Sequence, residues 1–94
     1  MSHITIRRPH KLGHAELRGR VSHLAERLSE KYGADCRWDG DTVLIEHSNV
    51  TGKVEVSKTE VVIEAKLGFF LSMFQHRVEE EITRILDEEL ERKV

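Results

Sequence analysis

The sequence predicts a single α+β domain over residues 1–94, a two-layer sandwich of about five antiparallel strands with two helices on one face, in the order β-α-β-β-β-β-α. Three observations carry this. Val61, Ile63, Ala65 and Leu67 recur every second residue, which puts them on one face of a strand. After Gly68 the period becomes helical, with Leu71, Phe74, Val78, Ile82, Ile85 and Leu86 on one stripe running almost to the C-terminus. Between residues 34 and 67, short apolar runs are separated by turn-forming residues, the pattern of an antiparallel meander.

Ile4 and Ile6 alternate with Thr5 and Arg7 in a short first strand, which Pro9 is expected to end because proline has no N–H for a ladder. Gly13 precedes an amphipathic helix whose Leu17, Val21, Leu24, Ala25, Leu28 and Tyr32 share one face, and Gly33 can stop it in a left-handed cap. Cys36 and Trp38 then lead through the turn Asp39-Gly40-Asp41 into Thr42–His47, a hairpin. Ser48–Gly52 turns the chain again, Val54 and Val56 form the next strand, and Ser57-Lys58-Thr59 connects to the strand of Val61–Leu67. Two amphipathic helices are the obvious cover for one sheet face, while Glu55, Glu64 and Lys66 on the other face water beside Val62 and Leu44.

A chain of 94 residues buries only roughly 60–65% of its unfolded surface, so its core is modest and a partner chain would help it. The net charge of -2 argues against a nucleic-acid binder. It conceals an asymmetry: Arg7, Arg8, Lys11, Arg18 and Arg20 dominate one end, and Glu79, Glu80, Glu81, Asp87, Glu88, Glu89 and Glu91 the other. The single cysteine, Cys36, excludes an internal disulfide, suits a reducing cytoplasm and reads as a small packed hydrophobe. No apolar run is long enough for a membrane span, and the N-terminus lacks the apolar core of a signal peptide.

Catalytic and metal constellations do not rise above background, so no enzyme, cofactor or metal is expected. His10 and His14 have ligand-like spacing, but Pro9 and Gly13 place them in a loop with no third ligand nearby. Arg20, Arg27 and Lys31 fall on one flank of the first helix, with Arg7, Arg8 and Lys11 before it. Such a basic flank could meet phosphates or an acidic partner. Interspersed Glu16, Glu26 and Glu30 and the lack of stacking aromatics favour a solvated helix face instead. The informative anomaly is the start of the last helix, where Phe69 and Met73 point nearly opposite to the stripe of Leu71, Phe74 and Val78, with Phe70 at the border. Either Phe69 folds back to cap the core, or Phe69, Phe70 and Met73 form an apolar docking patch beside Arg77 and Lys66.

His10-Lys11-Leu12-Gly13, Tyr32-Gly33, Trp38-Asp39-Gly40-Asp41, Gly52-Lys53-Val54-Glu55-Val56, Leu67-Gly68-Phe69-Phe70-Leu71-Ser72 and Val78-Glu79-Glu80-Glu81-Ile82 span nearly the whole chain. On these residues the sequence resembles the small bacterial family of putative polyhydroxyalkanoic acid system proteins, encoded in polyhydroxyalkanoate granule regions. The shared residues are turn and core features, and no active-site residues carry over. The resemblance implies an accessory role near storage-polyester metabolism in a bacterial cytoplasm. Three functions follow as expectations. The first is a non-enzymatic protein that associates with polyester granules or their enzymes through Phe69, Phe70 and Met73. The second is a domain enclosing an acyl or aromatic ligand between Trp38, Val43, Ile63 and Phe74. The third is a homodimeric scaffold that joins partners through its basic and acidic poles.

Overall fold

The computed structural model describes residues 2–91; Met1 and residues 92–94, the ends of the expected domain, lie outside them. Five strands form one antiparallel sheet: β1 (Ser2–Pro9), β2 (Asp35–Asp39), β3 (Thr42–His47), β4 (Val50–Val56) and β5 (Glu60–Leu67), in the spatial order β1-β5-β4-β3-β2. Helix α1 (His14–Tyr32) follows β1, and α2 (Phe69–Ser72) and α3 (Gln75–Glu91) follow β5. The element order is the one the sequence predicts, and the first strand, last in the meander's register, closes one edge by pairing with β5.

The alternating residues do what the pattern requires. Ile4, Ile6, Val43, Ile45, Val54, Val56, Val61, Ile63, Ala65 and Leu67 share the inner face and form one core with Leu17, Val21, Leu24 and Leu28 of α1 and Val78, Ile82, Ile85 and Leu86 of α3. On the outer face, the register sets Thr5, Glu64, Lys53, Leu44 and Arg37 side by side across the sheet, and Arg7, Val62 and Glu55 in the next row. Val62 is buried there without any helix over it, between the long stems of Arg7 and Glu55. The outer face is therefore charged and not a large apolar surface.

Pro9 ends β1 as expected, in its last position opposite Glu60. His10 N–H bonds to the Thr59 carbonyl, so the even-numbered residues of this segment turn their backbone groups toward β5. Pro9 has the other parity, where its nitrogen faces the bare edge and no donor is required. Gly33 ends α1 in the left-handed region at φ 70°, with its N–H on the Ser29 carbonyl. A departure from the expected pattern follows Gly68. The single long helix expected there is two helices: one turn, α2, then an offset at Met73 and Phe74 before α3 begins.

Candidate functional site

The corner between β5 and α3 is fixed at four points. The Gly68 N–H donates to the Asn49 carbonyl at 2.8 Å, Ser72 N–H to the Gly68 carbonyl and Phe74 N–H to the Leu71 carbonyl. The Gln75 amide reaches the His3 carbonyl at 3.4 Å. A Cβ on Gly68 would lie 3.3 Å from the Asn49 oxygen, close enough that the Asn49 backbone would have to give by a few tenths of an ångström. Leu71 alone of this turn packs against the core.

The remaining large side chains point outward. Phe69 is 85% exposed, Met73 68%, Phe70 60% and Phe74 46%, and the rings of Phe70 and Phe74 meet at 5.9 Å in a tilted pair. Phe69 thus does not fold back over the core. Phe74 is also a correction: placed in the core stripe by its spacing from Val78, it belongs to the exposed cluster. The Val78 N–H donates to the Phe74 carbonyl, so Phe74 keeps its helical register with Val78, but the buried stripe begins only at Val78 and runs through Ile82, Ile85, Leu86 and Glu89. Among the described residues, Arg77 is the one arginine that forms no ion pair or hydrogen bond, and Lys66 likewise forms none; both are exposed and flank this cluster in sequence.

The candidate basic flank has a different fate. Arg7 pairs with Glu60 at 2.9 Å and Arg8 Nε with Asp87 at 2.9 Å, while Lys11 stands exposed in the loop before α1. Arg20, expected on a wet flank, is buried: Nη1 donates to the Glu89 carbonyl at 2.6 Å and Nη2 to Glu16 at 3.0 Å. Arg27 bridges Glu88 at 2.9 Å and Glu89 at 3.1 Å, and His23 Nδ1 lies 2.7 Å from the same buried Glu89 carboxylate. Lys31 and the Tyr32 hydroxyl both hold Glu81. Those bonds keep the Glu81 carboxyl below the usual carboxylate range, Arg27 does the same to Glu88, and burial followed by the Glu81 contact pushes the Tyr32 phenol up. The basic and acidic ends are thus not separate poles but two sides of one seam between α1 and α3. Arg20 and Glu89 were the residues that periodicity could have found, since Arg20 is three residues from Leu17 and Glu89 four from Ile85, within the buried stripes.

The histidines also disperse. His10 accepts from Leu12 N–H through Nδ1, which leaves Nε2 to donate to the Ser57 carbonyl at 2.7 Å, whereas His14 meets Asp41 at 3.0 Å. No group of three metal-ligating side chains occurs among the described residues. Burial raises the pKa of the Cys36 thiol, which contacts the Ala25 carbonyl at 3.6 Å, as suits a packed hydrophobe. Of the residues expected to wall an acyl cavity, Ile63 borders a void of about 30 Å³ with Leu28, Ala34, Ile45, Ala65 and Ile82, room for about one water, while Trp38 and Val43 line a separate open groove. Phe74, expected in the same wall, lies outside the core. Among the described residues, no helix is long and apolar enough to cross a membrane.

No curated protein and no solved structure matches the chain. A family model does, over residues 4–90, from the first core isoleucine through the α1–α3 seam, and it is described as that of a putative polyhydroxyalkanoic acid system protein. The match takes in every strand and helix that builds the apolar corner, and the chain belongs to this family of putative polyhydroxyalkanoic acid system proteins.

Proposed function

We propose that the protein is a non-enzymatic accessory of cytoplasmic polyester storage, which seats the corner of Phe69, Phe70, Met73 and Phe74 on the granule surface or on a granule enzyme. One observation carries this: four large apolar side chains exposed at one rigid corner, with Lys66 and Arg77 beside them and paired to nothing among the described residues. A small domain that leaves such groups in water has no folding reason to do so. An aliphatic polyester offers apolar chain and uncharged ester carbonyls. The four side chains would be buried against the first, at about 1.5–3 kcal/mol for each fully covered, and the two cations would donate to the second. The Gly68–Asn49 and Gln75–His3 contacts hold the corner in place before binding, so little ordering is needed.

The test is co-sedimentation with isolated polyhydroxyalkanoate granules, together with the mass of the free protein in the same buffer. Saturable binding that is lost in Phe69→Ser/Met73→Ser, with circular dichroism unchanged, is the expected result. Binding that persists in this variant would place the contact elsewhere. A stable dimer that the same substitutions dissociate would assign the corner to self-association.

A further inference from the structure

The sheet has two free edges, and the structure treats them differently. In β1, residues of even number pair with β5, so the backbone groups of His3, Thr5 and Arg7 face outward. Two of those carbonyls are taken: Arg8 Nη1 donates to the Arg7 carbonyl at 2.9 Å, and Gln75 to that of His3. Pro9 closes the end of the strand. This edge is blunted in the usual ways.

Among the described residues, the β2 edge has no such cover. Its hairpin closes with Asp39 opposite Thr42, and the Asp41 carbonyl accepts from Val56 N–H, which fixes the odd residues of β3 toward β4 and the even ones toward β2. Asp35, Arg37 and Asp39 therefore bond to β3, and the N–H and C=O groups of Cys36 and Trp38 face away from the sheet. They border a groove of about 420 Å³ between β2 and α1, floored by Ala25, Cys36, Trp38 and Val43 and walled by Glu26 and Glu30. Trp38 is locked in that floor by its indole N–H on the Ser22 hydroxyl at 3.0 Å and by the Arg18 guanidinium, 3.9 Å from the ring centroid. Glu26, Glu30, Asp35 and Asp39 are all exposed, and among the described residues none of them forms an ion pair or a hydrogen bond through its side chain. The cations beside them are Arg37, in a loose contact with Glu46 at 3.8 Å, and Arg18, which is paired with Asp41.

We infer that the β2 edge and its groove bind an extended, lysine- or arginine-bearing segment of a partner protein, which adds to the sheet as a sixth strand. Main-chain bonds to Cys36 and Trp38 fix the segment, alternate side chains lie along the apolar floor, and the four carboxylates select for cations. The same charge disfavours a second copy, since two such edges would set acid against acid. This surface is on the opposite edge of the sheet from β1 and shares no residue with the Phe69–Phe74 corner.

The probe is an acetylated, amidated peptide of alternating valine and lysine, titrated into the whole protein by the fluorescence of its single tryptophan, Trp38, and by amide chemical shifts. Saturable binding is expected, with the largest shifts at Cys36 and Trp38. Glu26→Lys/Glu30→Lys, both at exposed helix positions, should weaken it about tenfold or more. Two versions of the peptide, N-methylated at alternate residues in one register or the other, should differ, because only one of them retains the pairing groups. Equal binding by the two, indifference to the charge reversal, shifts centred on Phe69–Phe74, or a dimer paired through β2 would each overturn the inference.

Discussion

Replacing Arg20 with methionine should cost the fold far less than replacing it with alanine, although both remove the charge that joins α1 to α3. The Arg20 side chain is 9% exposed, and its bonds are to the Glu89 carbonyl and to Glu16, which is half in water. Its Nε has no partner, a desolvated donor that costs about 1–3 kcal/mol. Losing the guanidinium therefore forfeits about 1.5–3 kcal/mol at the Glu89 carbonyl and recovers a similar amount by no longer burying Nε and the charge. Methionine keeps a stem in the seam, so the net change should stay within about 1 kcal/mol. Alanine loses two buried methylenes, Cγ and Cδ, at roughly 0.8 kcal/mol each and leaves a cavity in their place, so it should cost about 2–3 kcal/mol in all. Urea unfolding followed by Trp38 fluorescence would measure both. If methionine proves as damaging as alanine, the seam is held by the charge of Arg20 and not by its packing, and the cancellation above is wrong.

The acid limb of stability should depend on the seam carboxylates. Glu81 and Glu88 are held below the usual carboxylate range, chiefly by Lys31 and Arg27, so their contribution is complete above the unfolded value of about 4.3 and is lost as pH falls through the folded values; Glu81→Gln should flatten the urea midpoint over that range, and an unaltered acid limb would contradict this. Two glycines should respond with opposite sign. A Cβ on Gly52 would lie 2.6 Å from the Glu64 carbonyl oxygen across the β4–β5 pair, so Gly52→Ala should destabilise by about 1–3 kcal/mol, whereas Gly19, exposed in the middle of α1 with nothing within 4 Å, should gain up to about 1 kcal/mol as Gly19→Ala; thermal melts of the two variants test both. Finally, Phe69→Ser/Met73→Ser should leave peptide binding at β2 unchanged, and Glu26→Lys/Glu30→Lys should leave granule sedimentation unchanged, because the two surfaces share no residue.

What the sequence made legible is what depends on period and on turn chemistry. The strand Val61–Leu67, the αL stop at Gly33 and the two-residue hairpin at Gly40 each require particular residues at particular spacings, and each forms as read. The break after Ser72 is not marked in this way. Leu71, Phe74 and Val78 keep an unbroken helical repeat, and no proline or glycine interrupts it. The offset comes from distant contacts, since the corner must satisfy Asn49 and His3 at once. The basic flank was misplaced for a related reason: a helical wheel gives the angle of Arg20 on its own helix but not what packs there. With α3 in position, the angle that looked like a border to water is the seam, and Glu89 comes from the facing stripe to meet it.

The distribution of paired and unpaired charge separates what this small domain needs in order to fold from what it leaves available. Along the seam and the β1 edge, the cations meet carboxylates or carbonyls of the same chain: Arg8 with Asp87, Arg27 with Glu88 and Glu89, Lys31 with Glu81 and Arg20 with the Glu89 backbone. Each exposed pair is worth less than about 1 kcal/mol, yet together they fix the angle between α1 and α3 and so the side of the sheet on which both helices lie. The charged groups outside this network include Lys66 and Arg77, which flank the apolar corner in sequence, and Glu26, Glu30, Asp35 and Asp39 around the β2 edge, together with Lys11, Lys58, Glu79, Glu80 and Glu91. If the proposed contacts form, the corner on an uncharged polyester would draw on Lys66 and Arg77, and a basic segment at the β2 edge on the four carboxylates there, so raised salt should weaken the second contact far more than the first.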